Sequence, residues 1–253
     1  MKEGTALNIV DVNCRIGYTV GKIRPAFTQE DLLREMDLCG VDTAVASHNR
    51  AAMQLQQGNA MMQEIAAASG GRITACFIVH PCLDDIKMPK DVVAYLSAAR
   101  PAAVELLPKE HNYPLNERYC GKLLAQLERL RIPLLLQKAQ IPNYPDGVFE
   151  IADRHPNLPI IMTRQGYPES MFLRTALQTT QNILFNATYA ENAAELDWAV
   201  KEFGAERFVL GSADDCFASA GLGLVYLGDF SQEAKDAILG GNWKKLQEGI
   251  QWA

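Results

Sequence analysis

Asn8–Gly17, NIVDVNCRIG, reads as a buried β-strand: Ile9, Val10 and Val12 are β-branched, the apolar run is short, and Gly17 closes it. Side chains alternate along a strand, which puts Asp11, Asn13 and Arg15 on one face. Three polar groups on one face of an otherwise apolar strand are costly unless something uses them. If that face looks into a barrel, the three line its mouth, and the rest of the chain is read as placing polar side chains opposite Asn13 and Arg15.

Further along, helices and strands alternate. Thr28 is read as a helix cap with Asp31 completing the capping box; Leu32, Leu33, Met36 and Cys39 form the stripe and Gly40 the stop. Strands are expected at 41–47, 72–80, 102–107, 132–137, 159–164, 182–187 and 207–212. Helices are expected at 58–69, 91–99, 116–130, 146–153, 168–178 and 191–203, with one or two more at the end. Pro168 opens one of these. Eight strands alternating with helices predict a parallel α/β fold, and eight is the number that closes a (β/α)8 TIM barrel. A doubly wound open sheet is the alternative. It is ranked lower because RIGYTVGKI after the first strand lacks the GxGxxG phosphate loop.

The 253 residues are 48% hydrophobic and 21% charged, enough for one large core, and residues 1–253 are read as a single domain. A net charge of -6 and the lack of a basic run argue against a nucleic-acid partner. No stretch is long and apolar enough to span a membrane, and MKEGTALN lacks the apolar core of a signal peptide, so a cytoplasmic location is expected. The six cysteines form no CxxC pair and are expected to be reduced and mostly buried; Cys14 and Cys216, beside the proposed site, are the candidates for reactivity. His111 and His155 are expected to be solvated, and AAMQLQQGNAMMQE (51–64) to serve helix packing.

In a TIM barrel the site lies at the C-terminal strand ends. Those ends carry Asn13 and Arg15; Ser47 and His48; His80; Glu105; Gln137; Thr163 and Arg164; Asn186; and Ser212, Asp214 and Asp215. Nearly every strand finishes on a polar group, which describes a polar mouth over an apolar barrel and a small-molecule ligand.

At these residues the chain resembles a known family. DVNCRIG is similar to the D-x-H-x-H opening of the amidohydrolase superfamily, in its amidohydrolase-related branch of decarboxylase and lactonase-like proteins. LLREMDLCGVDTAVAS, HPNLPIIMTRQGYPE, RFVLGSADD and GNWKKL resemble, in order, that branch's first helix and second strand, sixth strand, last strand and closing helix. The resemblance implies a TIM barrel, a hydrolase activity, a zinc or other divalent ion, and a homodimer as a common assembly.

The metal ligands are what this chain lacks. Asn13 and Arg15 stand where the resemblance places the two histidines of the first strand, Gln137 and Arg164 where it places those ending the fifth and sixth, and Ala213 where it places the last aspartate, with Asp214 one residue later. Arginine has no lone pair to give, and Asn and Gln carbonyls are weak ligands for zinc. The expectation is a barrel without metal or other cofactor. In one reading Arg15 and Arg164 hold a small carboxylated, phosphorylated or sugar-like anion; Asn13, His48, Gln137, Asn186 and Asp215 orient it; Asp214 or Glu105 is the general base and His80 or His48 the acid. In the other the arginines are internal counter-ions, Arg15 to Glu105 or Asp214 and Arg164 to Asp11 or Asp215, filling the space of the lost metal. A barrel that binds a small anion without turnover is the alternative function to the hydrolase. A purely structural subunit is a third expectation.

Overall fold

The computed structural model describes residues 7–18, 26–163, 170–187, 193–212 and 218–253. Eight parallel strands run in the order β1 to β8: β1 Val10–Ile16, β2 Thr43–His48, β3 Ile73–Ile78, β4 Ala103–Leu106, β5 Leu134–Gln137, β6 Ile160–Thr163, β7 Ile183–Asn186 and β8 Phe208–Val209. The last meets the first: Val12 N donates to Leu210 O at 3.0 Å, and Ser212 N to the Asp11 carboxylate at 2.8 Å. This is a (β/α)8 TIM barrel.

The helices are α1 Gln29–Cys39, α2 Leu55–Ala68, α3 Val92–Ala99, α4 Glu117–Leu130, α5 Asp146–Arg154, α6 Ser170–Thr179, α7 Ala193–Phe203, α8 Ala218–Leu227, α9 Gln232–Asp236 and α10 Asn242–Glu248. Among the described residues no helix is long and apolar enough to cross a membrane. The local signals act as their chemistry requires. Thr28 and Asp31 form a reciprocal capping box on α1, and Gly40 ends it at a φ of 70°. Asn116 caps α4, whose Leu123, Leu124, Leu127 and Leu130 are buried against the sheet.

The apolar interior has two parts. The larger lies between sheet and helices. The smaller takes residues from every strand: Val10 and Val12, Val45, Cys76, Ala103, Leu135, Ile161, Leu184 and Val209, with Trp243 of α10 packed beside them. One residue or two per strand is the composition of a barrel interior. Gln247 Nε2 donates to Ala102 O, tying α10 to the start of β4.

Strand β1 departs from plain alternation. Its pairing with β2 runs Asp11 to Ala44 and then Cys14 to Ala46, so β1 carries one residue more than its partner over that span. Such a bulge reverses the facing of the residues beyond it. Val10 and Val12 therefore join the interior cluster, while Asp11 sits opposite Ala44, which packs toward the helices. The expectation that Asp11 shares a face with Asn13 and Arg15 is corrected on that ground. The Asp11 carboxylate instead accepts the amides of Asn13, at 3.2 Å, and Ser212.

Candidate functional site

On five strands, two residues beyond the interior apolar residue and on the same strand face, the chain turns polar. Val45 is followed by Ser47, Ala103 by Glu105, Leu135 by Gln137, Ile161 by Thr163 and Leu184 by Asn186, and all five are buried. Ile78 interrupts the series on β3. Arg15 pairs in register with Ser47, which places it on the same inner face. Asn13 borders the layer too: a Cβ on Gly211 would lie 3.3 Å from Asn13 Cβ and close to the Asn186 amide. A buried polar layer thus caps the apolar one at the C-terminal strand ends, where TIM barrels keep their sites.

Its centre is an ion pair. Arg15 Nη2 donates to Glu105 Oε1, and Ser47 Oγ donates to Glu105 Oε2 at 3.2 Å. Arg15 is 8% exposed and Glu105 3%. Of the two partners left open for Arg15, the structure brings Glu105 to it. Beneath them Cys76 is fully enclosed; burial first, and then the Glu105 charge, push its thiol well above the usual range. Cys14 is buried with its Sγ 3.7 Å from Ser212 Oγ.

His48 and His80 are not part of this layer. His48 is on the face of β2 opposite Ser47, with Nδ1 accepting Arg50 N at 3.1 Å. It lines a cleft of about 430 Å³ with Tyr18, Arg50 and Met53. Gly17, at a φ of +102°, lies against this ring; a Cβ there would come within 2.9 Å of His48 Cε1. Burial, with Arg50 second, lowers the His48 pKa.

His80 comes two residues after β3, next to Val79, whose amide donates to Glu105 O at 3.0 Å. Cys82 N donates to His80 Nδ1 at 3.0 Å, so the neutral ring carries its proton on Nε2. Burial, then His111 and Lys87, lower its pKa to about 4. Its ring centroid is 5.0 Å from that of His111 and 5.6 Å from that of Tyr113. His111, expected to be solvated, is half-buried with Nε2 2.8 Å from Ala52 O. His155, expected likewise, is 5% exposed: its Nδ1 is 3.0 Å from Glu128 and its Nε2 3.1 Å from Glu117. A proline after a histidine marks a chain direction, not an exposure. Arg164, Asp214, Asp215 and Cys216 lie outside the described residues.

Sequence reasoning names Ser47 and Thr163 only as strand ends; their burial beside Glu105 and Gln137 comes from the same period-two facing that marks Glu105. Lys87 and His111 carry no such signal, because both sit in loops. Among the described residues no group of three His, Cys, Asp or Glu side chains is placed to hold a metal ion.

No family model matches the sequence, and no curated protein matches it. Solved structures do. A TIM-barrel protein from Bordetella bronchiseptica superposes with a TM-score of 0.75 at 16% identity, covering 95% of this chain and 98% of that one. A protein solved as amidohydrolase II gives 0.74 at 12% identity, covering 95% and 99%. The chain shares the TIM-barrel fold of these proteins. The 5-carboxyvanillate decarboxylase of Sphingomonas paucimobilis gives a TM-score of 0.72 at 13% identity, covering 97% of this chain and 100% of that one. The likeness covers 95% or more of this chain, so the polar layer and its ion pair sit within the shared barrel.

Proposed function

We propose that this amidohydrolase-type barrel hydrolyses a small carboxylated or sugar-like compound at its strand ends, without a divalent ion. The Arg15–Glu105 ion pair inside the polar layer carries the reading. The amidohydrolase resemblance implies an ion near Asn13, Arg15 and Gln137. Those residues do not suit one: guanidinium offers no lone pair, amide carbonyls bind zinc weakly, and the Glu105 carboxylate already receives Arg15 and Ser47. A fixed guanidinium supplies positive charge at the same place. A carboxylated substrate accords with the name of the decarboxylase neighbour, 5-carboxyvanillate.

In this reading Glu105 takes the proton of an attacking water while Arg15 stays hydrogen-bonded to its carboxylate. Asn13, Gln137 and Asn186 orient the ligand by hydrogen bonds. His80, expected as an acid, lines the neighbouring cleft and has no part in this step. Asp214, Asp215 and Arg164 complete the proposed set from outside the described residues.

The test is product formation by EDTA-dialysed protein from a panel of lactones and cyclic amides bearing a carboxylate, monitored by proton NMR. Ring opening is expected, with a loss of about 100-fold or more on Glu105→Gln. Turnover that appears only with added zinc or manganese overturns the metal-free reading. A second reading, a barrel that binds its anion without turnover, is favoured by the occupation of both Glu105 oxygens. It predicts thermal stabilisation by carboxylates with no product.

A further inference from the structure

A second cleft, of about 620 Å³, opens between the loops after β2, β3 and β4. Its size suits a small molecule. Its walls have three kinds of surface. Met53 and Ile86 are 75% and 79% exposed and supply an apolar rim. Lys87 supplies a cation, and makes no ion pair among the described residues. His80 and His111 supply two packed imidazoles.

The walls are fixed before any ligand arrives. Asp84 Oδ1 accepts the amides of Ile86, at 3.0 Å, and Lys87, at 2.7 Å. Gln56 Nε2 donates to Ile86 O, and the contact of His111 with Ala52 O ties the β4 loop to the β2 loop. Preset walls cost a ligand little ordering entropy. Cys82 N fixes the His80 tautomer, leaving Nε2–H as the available donor.

We propose that this cleft binds the carboxylate of a small organic monoacid, with the carboxylate on Lys87 and His80 Nε2–H and the apolar body against Met53 and Ile86. The inference deepens the reading above and rests on its carboxylated class of ligand, not on the reaction. Arg15 is engaged by Glu105 within the layer, whereas Lys87 lines the cleft. Glu110 on the β4 side of the same cleft disfavours a second carboxylate, which is why one acid group is specified. Through Val79, the cleft adjoins the backbone of Glu105.

The chain has only four histidines, so their Cε1–H signals are resolved by proton–carbon NMR, and His80→Gln identifies that of His80. Benzoate is the probe and benzamide its uncharged control. Benzoate is expected to shift the His80 signal saturably, to leave His155 in place, and to bind about five-fold more weakly to Lys87→Gln. A shift that does not saturate, that benzamide reproduces, or that Lys87→Gln leaves unchanged overturns the proposal. The two readings separate cleanly. Saturable benzoate binding with no substrate turned over leaves the cleft standing and removes the hydrolase. Turnover with a silent His80 signal does the reverse.

Discussion

Arg15 of β1 and Glu105 of β4 meet across the inside of the barrel, and Ser47 takes the carboxylate oxygen that Arg15 does not. Two charges taken out of water cost more than their attraction returns unless each is fully bonded. Removing one partner therefore leaves a buried, unanswered charge. Arg15→Leu or Glu105→Leu is expected to cost about 3–5 kcal/mol in urea unfolding, while the double variant loses less than either single one. Equal and additive losses would show that the two side chains do not interact.

His155 joins α5 to α4 by lying between Glu117 and Glu128. Those glutamates are eleven residues apart, about three helical turns, and so share one side of α4. His155→Ala removes the bridge and leaves two carboxylates facing each other over a void. A loss of about 1–3 kcal/mol is expected, read from the thermal midpoint. His155→Gln, which keeps one donor, is expected to recover part of it.

The low pKa of His80 sets a pH dependence. Its value is about 4 in the fold against 6.5 for the free side chain, with burial the largest cause. Between those values the unfolded chain holds a proton that the folded chain does not. Stability therefore rises with pH through this window and falls as acid is added. His48, lowered by burial and Arg50, acts in the same direction. The thermal midpoint of His80→Gln is expected to change less between pH 6.5 and pH 4 than that of the parent.

Gly17 has no room for a side chain. Its φ of +102° is one that L-residues rarely adopt, and the His48 ring lies where a Cβ would go. Gly17→Ala is expected to cost about 1–3 kcal/mol and to move the His48 Cε1–H resonance. An unchanged His48 signal would mean that the loop yields and the ring does not.

Much of this architecture is legible from residue order. The capping box at Thr28 and Asp31, the stop at Gly40 and the leucine stripe of α4 are local chemistry, and the observed helices begin and end on them. The strands fall within the expected spans except at the second, where His48 extends it by one residue. The α2 helix starts at Leu55, three residues before the expected Gly58, and the glutamines of that turn carry no apolar stripe to mark it. The bulge in β1 has no compositional mark: alternation alone groups Asp11 with Asn13 and Arg15, because an extra residue in a strand is visible only against its partner. The burial of His155 is hidden for a similar reason, since its two carboxylates come from another helix. Met62 packs in the core as the Met-rich stretch leads one to expect, but Met53 stands exposed on the rim of both clefts.

The carboxylate of Asp11 clasps the amide of Ser212, 201 residues away. A chain emerging from the ribosome makes its first strand early, but that strand must wait for nearly everything after it before its acid finds this mate. Until then the cylinder has two raw margins, each able to recruit a foreign strand. Speed of synthesis and shelter by chaperones thus matter most for the last stretch of this polypeptide, and truncation just before Ser212 should yield aggregates instead of a smaller barrel.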